Sequence, residues 1–168
     1  MHNVRLVGAD GHPATGTVEP VLGPRALFDE HYRPLVSLAH LLTGSNDVAE
    51  DLVQDCFARL IRRGTGVANP PGYLRTSVVN AARSWHRRQA LERTFGSRAR
   101  DDDVAPDLQE LRAALDRIRP RERTALVLRF YEDLPEAEIA EVLGCRPGTV
   151  KSLISRGLQH LRREVVHE

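Results

Sequence analysis

Apolar residues recur along this chain at helical intervals and nowhere alternate convincingly with polar ones, so the pattern predicts helices and no strands. The first helical stretch opens near Ala26, where Leu27, Leu35, Leu38, Ala39, Leu41 and Leu42 can line one broad face. Pro34 falls inside it and is expected to kink or divide the helix. Asn46 or Asp47 then caps a second helix, whose apolar positions form two interleaved series, Val48, Leu52, Cys56, Leu60 and Val53, Phe57, Ile61. A breaker-rich loop, GTGVANPPG over Gly64 to Gly72, leads into a third long helix from Tyr73.

The apolar rhythm lapses between about Arg93 and Pro106, which reads as a linker. Beyond it a helix is expected from Asp107 to Ile118, then a break at Pro120 and a helix containing Ala125, Leu126, Leu128 and Phe130. From Leu134 to Arg163 the chain reads LPEAEIAEVLGCRPGTVKSLISRGLQHLRR. One amphipathic helix ends at Leu143, Gly144 supplies a turn, and Pro147 starts another with Val150, Leu153, Ile154, Leu158 and Leu161 on its apolar side. That is a helix-turn-helix, with the small Ala140 letting the helices cross closely and Val150 filling the gap between them. The expected fold is all-α, with two compact helical domains joined by a flexible linker. The domains are placed at 25–92 and 107–168, the linker at 93–106, and a flexible leader at 1–24, where Gly, Pro and Val show no sustained period.

Charge changes this picture more than composition does. The net charge is only +1, yet its sign varies along the chain. From Phe28 to Ile61, Asp29, Glu30, Asp47, Glu50, Asp51 and Asp55 outnumber Arg33 and Arg59; from Arg62 to Arg100, nine arginines face only Glu92. One surface suits a protein partner and the other a polyanion. From Gly144 to Arg163, Arg146, Lys151, Arg156, Arg162 and Arg163 meet no acid, which suits a helix that enters a DNA major groove. No apolar run approaches a membrane span, and no basic-then-apolar signal opens the chain, so the protein is placed in the cytoplasm. Cys56 and Cys145 are far apart in sequence and sit in apolar helical contexts, so they read as reduced core thiols, not a disulfide or redox pair. The histidines never fall into a metal-ligand spacing, and neither a metal nor a cofactor is expected.

Together these segments resemble a bacterial RNA polymerase sigma factor of the short, extracytoplasmic-function (ECF) group of the sigma-70 family. The resemblance covers about residues 25 to 165. FDEHYRPLVSLAHLLTGSNDVAEDLVQDCFARLIRR and NPPGYLRTSVVNAARSWHRRQ look like sigma-2, whereas LDRIRPRERTALVLRFYEDLPEAEIAEVLGCRPGTVKSLISRGLQHLRRE looks like sigma-4. It implies that the acidic helix docks on the clamp helices of the largest polymerase subunit. Asp51, Gln54 and Asp55 match that pattern, and Phe57 and Leu60 are either nearby apolar contacts or core.

The loop and third helix would recognise the minus-ten promoter element, the loop receiving a base flipped from the non-template strand. Asn69 would help to shape the pocket; Arg75, Arg83, Arg87 and Arg88 would hold phosphates, and Asn80 would lie beside Arg83 near the bases. Tyr73 and Trp85 either stack on bases or join the core. Sigma-4 would bind the minus-thirty-five element through Arg146, Lys151, Ser152, Ser155 and Arg156, with Thr149 on the DNA backbone, while its apolar surface rests on the polymerase flap. Arg146 stands where family members commonly carry a capping residue such as Ser, and Leu153 where they carry a polar or basic one. Leu153 therefore either joins the core or meets a thymine methyl. Promoter DNA and core polymerase are thus the expected partners, with an anti-sigma protein as a further one and no membrane insertion.

The resemblance implies a subunit that confers promoter choice and is not itself an enzyme. A stand-alone helix-turn-helix regulator would leave the acidic second helix and basic third helix without a task. A nuclease would need a metal or general-base constellation that the scattered His31, His40, His86 and His160 do not form. A sigma-like antagonist would share every feature above.

Overall fold

The computed structural model describes residues 23–92 and 113–166. The expected linker lies outside them, as do the leader up to residue 22 and the expected helix before residue 113. Among the described residues all regular structure is helical, as the periodicity predicts.

Helix α1 (Pro24–Thr43) has proline in its first turn and ends at Gly44, whose φ of 82° lets its N–H reach His40 O at 2.8 Å. Leu27, Leu35, Leu38, Ala39, Leu41 and Leu42 all turn inward, as their spacing predicts. Pro34 does not divide the helix, which continues through it as one element. The carbonyl that loses its donor is that of Glu30, and Glu30 and Pro34 are both exposed, so water can replace the missing bond.

Helix α2 (Asn46–Arg63) is capped by Ser45, not by the Asn46 or Asp47 expected. The Ser45 hydroxyl accepts the Val48 N–H at 3.4 Å. Ser-Asn-Asp offers three good caps in a row, so composition alone does not separate them. Ala49, Val53, Cys56, Phe57 and Leu60 form its buried stripe. Ile61, also expected inside, is 64% exposed because the stripe has rotated past it in the helix's last turn.

Helix α3 (Pro70–Glu92) starts three residues before the predicted Tyr73. Asn69 caps it, its Oδ1 accepting the Gly72 N–H at 3.0 Å and its carbonyl the Tyr73 N–H at 2.9 Å. Two prolines fit a first turn whose N–H groups would have no intrahelical partner. Leu74, Val78, Val79 and Ala82 then close the core against α1 and α2.

The second half begins with α4, described over 113–116, followed by α5 (Pro120–Leu126). Pro120 is both the expected break and the first residue of α5. The helix widens into a π-helical turn, Val127–Tyr131, in which the Glu132 N–H reaches Val127 O at 3.1 Å. The extra residue in this turn shifts the phase, leaving Phe130 63% exposed where a regular helix would have carried it inward from Leu126. Helices α6 (Glu136–Leu143) and α7 (Pro147–Val166) complete the helix-turn-helix. The two halves pack together, α1 and α3 lying against α5, and α6 meeting α3.

Candidate polymerase and nucleic-acid interfaces

On the outward side of α2, Asp51, Gln54 and Asp55 are all exposed, continuing the acidic surface of Asp47 and Glu50. Phe57 and Leu60 are not part of it. They are only 4% and 7% exposed and belong to the core, because they share the stripe of Val53 and Cys56. An aromatic cluster brings the apolar surface to the rim instead: Phe28 stacks on Tyr32 at 4.4 Å between centroids and meets Phe57 edge-on at 5.0 Å. Phe28 remains 40% exposed, and the Tyr32 hydroxyl accepts a bond from Gln54 Nε2 at 3.4 Å. The sequence reading missed this pair, although a phenylalanine and a tyrosine four apart on an amphipathic helix are the usual signal of such a ridge.

Between α2 and α3, Arg59, Arg62, Arg63 and Tyr73 line a shallow cleft. The Arg63 guanidinium lies 5.3 Å above the Tyr73 ring, so the ring face is covered by a cation. Asn69 is exposed beside it and fixed by its capping bonds. Sequence reasoning treated Arg59 only as a stray base in an acidic helix; its place at the α2 end of the cleft appears once the helices are packed.

Along α3 the predicted nucleic-acid residues have different surroundings. Arg87 and Arg88 are exposed, Arg87 donating to Ser84 Oγ at 2.9 Å. Asn80 is exposed and accepts from Arg83 Nη1 at 3.4 Å. Arg75 and Arg83 are half-buried and turned toward the second half of the chain: Arg75 Nε is 2.7 Å from Glu132 Oε2, and Arg83 Nη1 donates to Leu143 O at 3.3 Å. Burial, followed by the like charges of Arg121 and Arg87, pushes the Arg83 pKa down. Trp85 is half-buried, edge-on to His86 at 4.9 Å.

In the helix-turn-helix, Gly144 takes a φ of 61°, and the next N–H, that of Cys145, reaches Ala140 O at 2.9 Å. Val150 is fully buried, as its gap-filling role requires. Arg146, Lys151, Ser152, Ser155 and Arg156 are exposed, and Thr149 is half-buried. Arg146 occupies the cap position through its carbonyl, which accepts the Thr149 N–H at 2.9 Å. Ser152 turns its hydroxyl back to Gly148 O at 2.9 Å. Leu153 is buried, which resolves its two readings in favour of the core.

Arg156 also has an internal role. Its Nε lies 3.6 Å from Glu122 Oε1, and His160 Nδ1 lies 2.8 Å from the other oxygen of this buried carboxylate. Among the described residues no group of three or more His, Cys, Asp or Glu could hold a metal ion, and no helix is long and apolar enough to cross a membrane.

A three-helix half with one acidic and one basic face is followed by a helix-turn-helix with a basic outward side, an arrangement suited to one protein partner and to DNA. Residues 27–92 match the family model for sigma-70 region 2, and residues 108–161 that for sigma-70, region 4. The chain belongs to the sigma-70 family of RNA polymerase sigma factors, in its ECF group. It is 32% identical over 126 residues to RNA polymerase sigma-E factor of Streptomyces antibioticus, covering 70% of each chain. It is also 32% identical to ECF RNA polymerase sigma factor EcfG of Rhodopseudomonas palustris, covering 76% of each. Its fold is similar to the sigma factor RpoE of Bartonella quintana, solved in complex with the anti-sigma factor NepR, with a TM-score of 0.70 and 26% identity over 83% of this chain and 94% of that one.

Proposed function

We propose that this chain is a dissociable subunit that binds core RNA polymerase and directs it to promoters, reading minus-ten DNA as an opened strand and minus-thirty-five DNA as duplex. The observation that carries this is the presence of both sigma regions in one chain, in order, each with a surface of the matching charge. In this reading Asp51, Gln54 and Asp55 steer docking on the polymerase clamp, while exposed Phe28 takes the apolar contact that buried Phe57 and Leu60 cannot make. Asn69 and Tyr73 border the site of an extruded base, Asn80 lies at the bases, and Arg75, Arg83, Arg87 and Arg88 hold phosphates.

In the helix-turn-helix, Arg146, Lys151, Ser152 and Ser155 face the major groove, and Thr149 touches the DNA backbone. Arg156 can offer its outer guanidinium nitrogens to a phosphate while its Nε stays beside Glu122. The polymerase flap holds this half at a fixed distance from the other. Polymerase performs the chemistry in the cytoplasm, and this chain supplies selection. An anti-sigma protein is a further expected partner, as the Bartonella relative was crystallised with one.

The test is run-off transcription from a genomic promoter library with purified core polymerase, with and without the protein. A shared two-part upstream motif at start sites found only in its presence is the expected result. No binding to core, together with tight binding to duplex DNA alone, would reassign the chain to the independent regulators.

A further inference from the structure

Between Gly144 and Arg163 the chain carries no acid, yet a carboxylate lies beneath this part of α7. It belongs to Glu122 on α5, whose side chain is only 3% exposed. One oxygen faces Arg156 Nε at 3.6 Å and the other faces His160 Nδ1 at 2.8 Å, so a single buried anion holds residues one turn apart on α7. Gly157, between them, allows the approach. A Cβ there would meet Leu126 Cδ1 at 2.7 Å and stand 3.5 Å from Glu122 Cβ, so α5 and α7 cross closely where the carboxylate sits.

On charge alone, Glu122 works against a DNA-binding helix. A carboxylate repels phosphates, and burying it costs solvation that only well-placed partners offset. What it supplies is direction. A guanidinium is a planar fork of donors, and with Nε turned to Glu122 the edge formed by its two outer nitrogens is left for another acceptor. The Arg156 side chain is 54% exposed, so a ligand can reach that edge. An arginine already held in this way also loses less side-chain freedom when it binds.

We infer that Glu122 is a positioning residue for promoter duplex. It touches no DNA itself; with His160 holding its second oxygen, it sets Arg156 so that the outer guanidinium nitrogens meet a phosphate of the minus-thirty-five element. The inference rests on the proposed reading of α7 as the major-groove helix. Charge and position then act with opposite signs. Removing the carboxylate relieves a repulsion but loosens Arg156, and the second effect dominates because the guanidinium stands between the carboxylate and the DNA.

The experiment uses holoenzyme rebuilt from core polymerase and the full-length chain, at sub-saturating concentration. Run-off is read on an intact promoter and on a copy that ends just downstream of the minus-thirty-five element. Glu122→Gln and Arg156→Ala are each expected to lower run-off from the intact promoter about fivefold, and the double variant no further than Arg156→Ala alone. On the shortened promoter all four proteins should agree within about twofold. Run-off by Glu122→Gln equal to or above wild type overturns the inference, since charge alone would then account for the residue. A further drop on adding Glu122→Gln to Arg156→Ala also overturns it, because a merely structural loss persists without Arg156. His160→Gln, at a position 35% exposed, decides the matter if Glu122→Gln does not fold: a loss of about twofold is expected, again only while Arg156 is present, and any other result overturns the inference. Wild-type run-off that is absent, or the same on both promoters, removes the reading of α7 and the inference with it. Dependence on the element that Glu122→Gln leaves intact overturns the inference alone.

Discussion

Single side chains in this protein are assigned by what their neighbours leave them, and Cys56 shows it most simply. Burial pushes its thiol pKa up, with the Asp55 charge adding to the rise and Arg59 opposing it. A raised thiol pKa means less thiolate at neutral pH, so reactivity falls on both access and chemistry. Cys145, expected in the core, is instead half-buried in the turn before α7 and so more accessible. Titration with a disulfide reagent is expected to show one prompt thiol, with Cys56 slower by roughly a hundredfold or more until the protein is unfolded. Equal prompt reaction of both thiols would contradict the packing of α2. The same logic explains which residue assignments the sequence could not supply. Phe57 and Phe28 are both aromatic, both near acids and both at helical spacing; only the rotation of α2 against α1 makes one of them core and the other rim.

Whole elements were largely legible, because periodicity survives packing. The helix-turn-helix was visible in Ala140, Gly144, Pro147 and Val150, where each position constrains backbone or volume. The π-helical turn at Val127–Tyr131 was not, since nothing in VLRFY distinguishes a widened turn from a regular one. Gly157 was also passed over, although it governs how α7 lies on α5. A Cβ there would meet Leu126 Cδ1 at 2.7 Å and Cγ at 3.0 Å, and Leu126 is itself buried. Gly157→Val is therefore expected to lower stability by about 1–3 kcal/mol, since overpacking of the crossing outweighs the removal of glycine's entropy cost. Gly148, on the same helix, has open space around its missing Cβ. Gly148→Ala should be neutral or stabilising by up to about 1 kcal/mol, so denaturant midpoints for the pair separate a local clash from a general intolerance of side chains in α7.

At the scale of the molecule, charge segregation announced two surfaces, but nothing in the sequence announced that the halves would pack on one another. The key bond is made to backbone: Arg123, 4% exposed on α5, donates to Leu42 O at the end of α1, where His86 Nε2 also approaches at 2.7 Å. A carbonyl at a helix end has no residue identity to read, and the partners are far apart in the chain. Arg123 also bonds within its own half, to Ile118 O at 3.5 Å and to Asp116 at 3.3 Å, so it can couple the unfolding of the two halves. Arg123→Met preserves bulk and removes every side-chain donor. Its expected cost is about 2 kcal/mol, typical of losing a charged hydrogen bond, and His86 limits the damage at Leu42. The single tryptophan, Trp85, lies in the first half and reports that half by fluorescence, whereas circular dichroism reports helices in both. In the wild type the two signals should change together. In Arg123→Met they should separate, because each half then unfolds at its own midpoint. If they stay coincident while the midpoint falls, Arg123 supports only its own half, and coupling between the halves must come from the apolar contacts of α1 and α3 with α5.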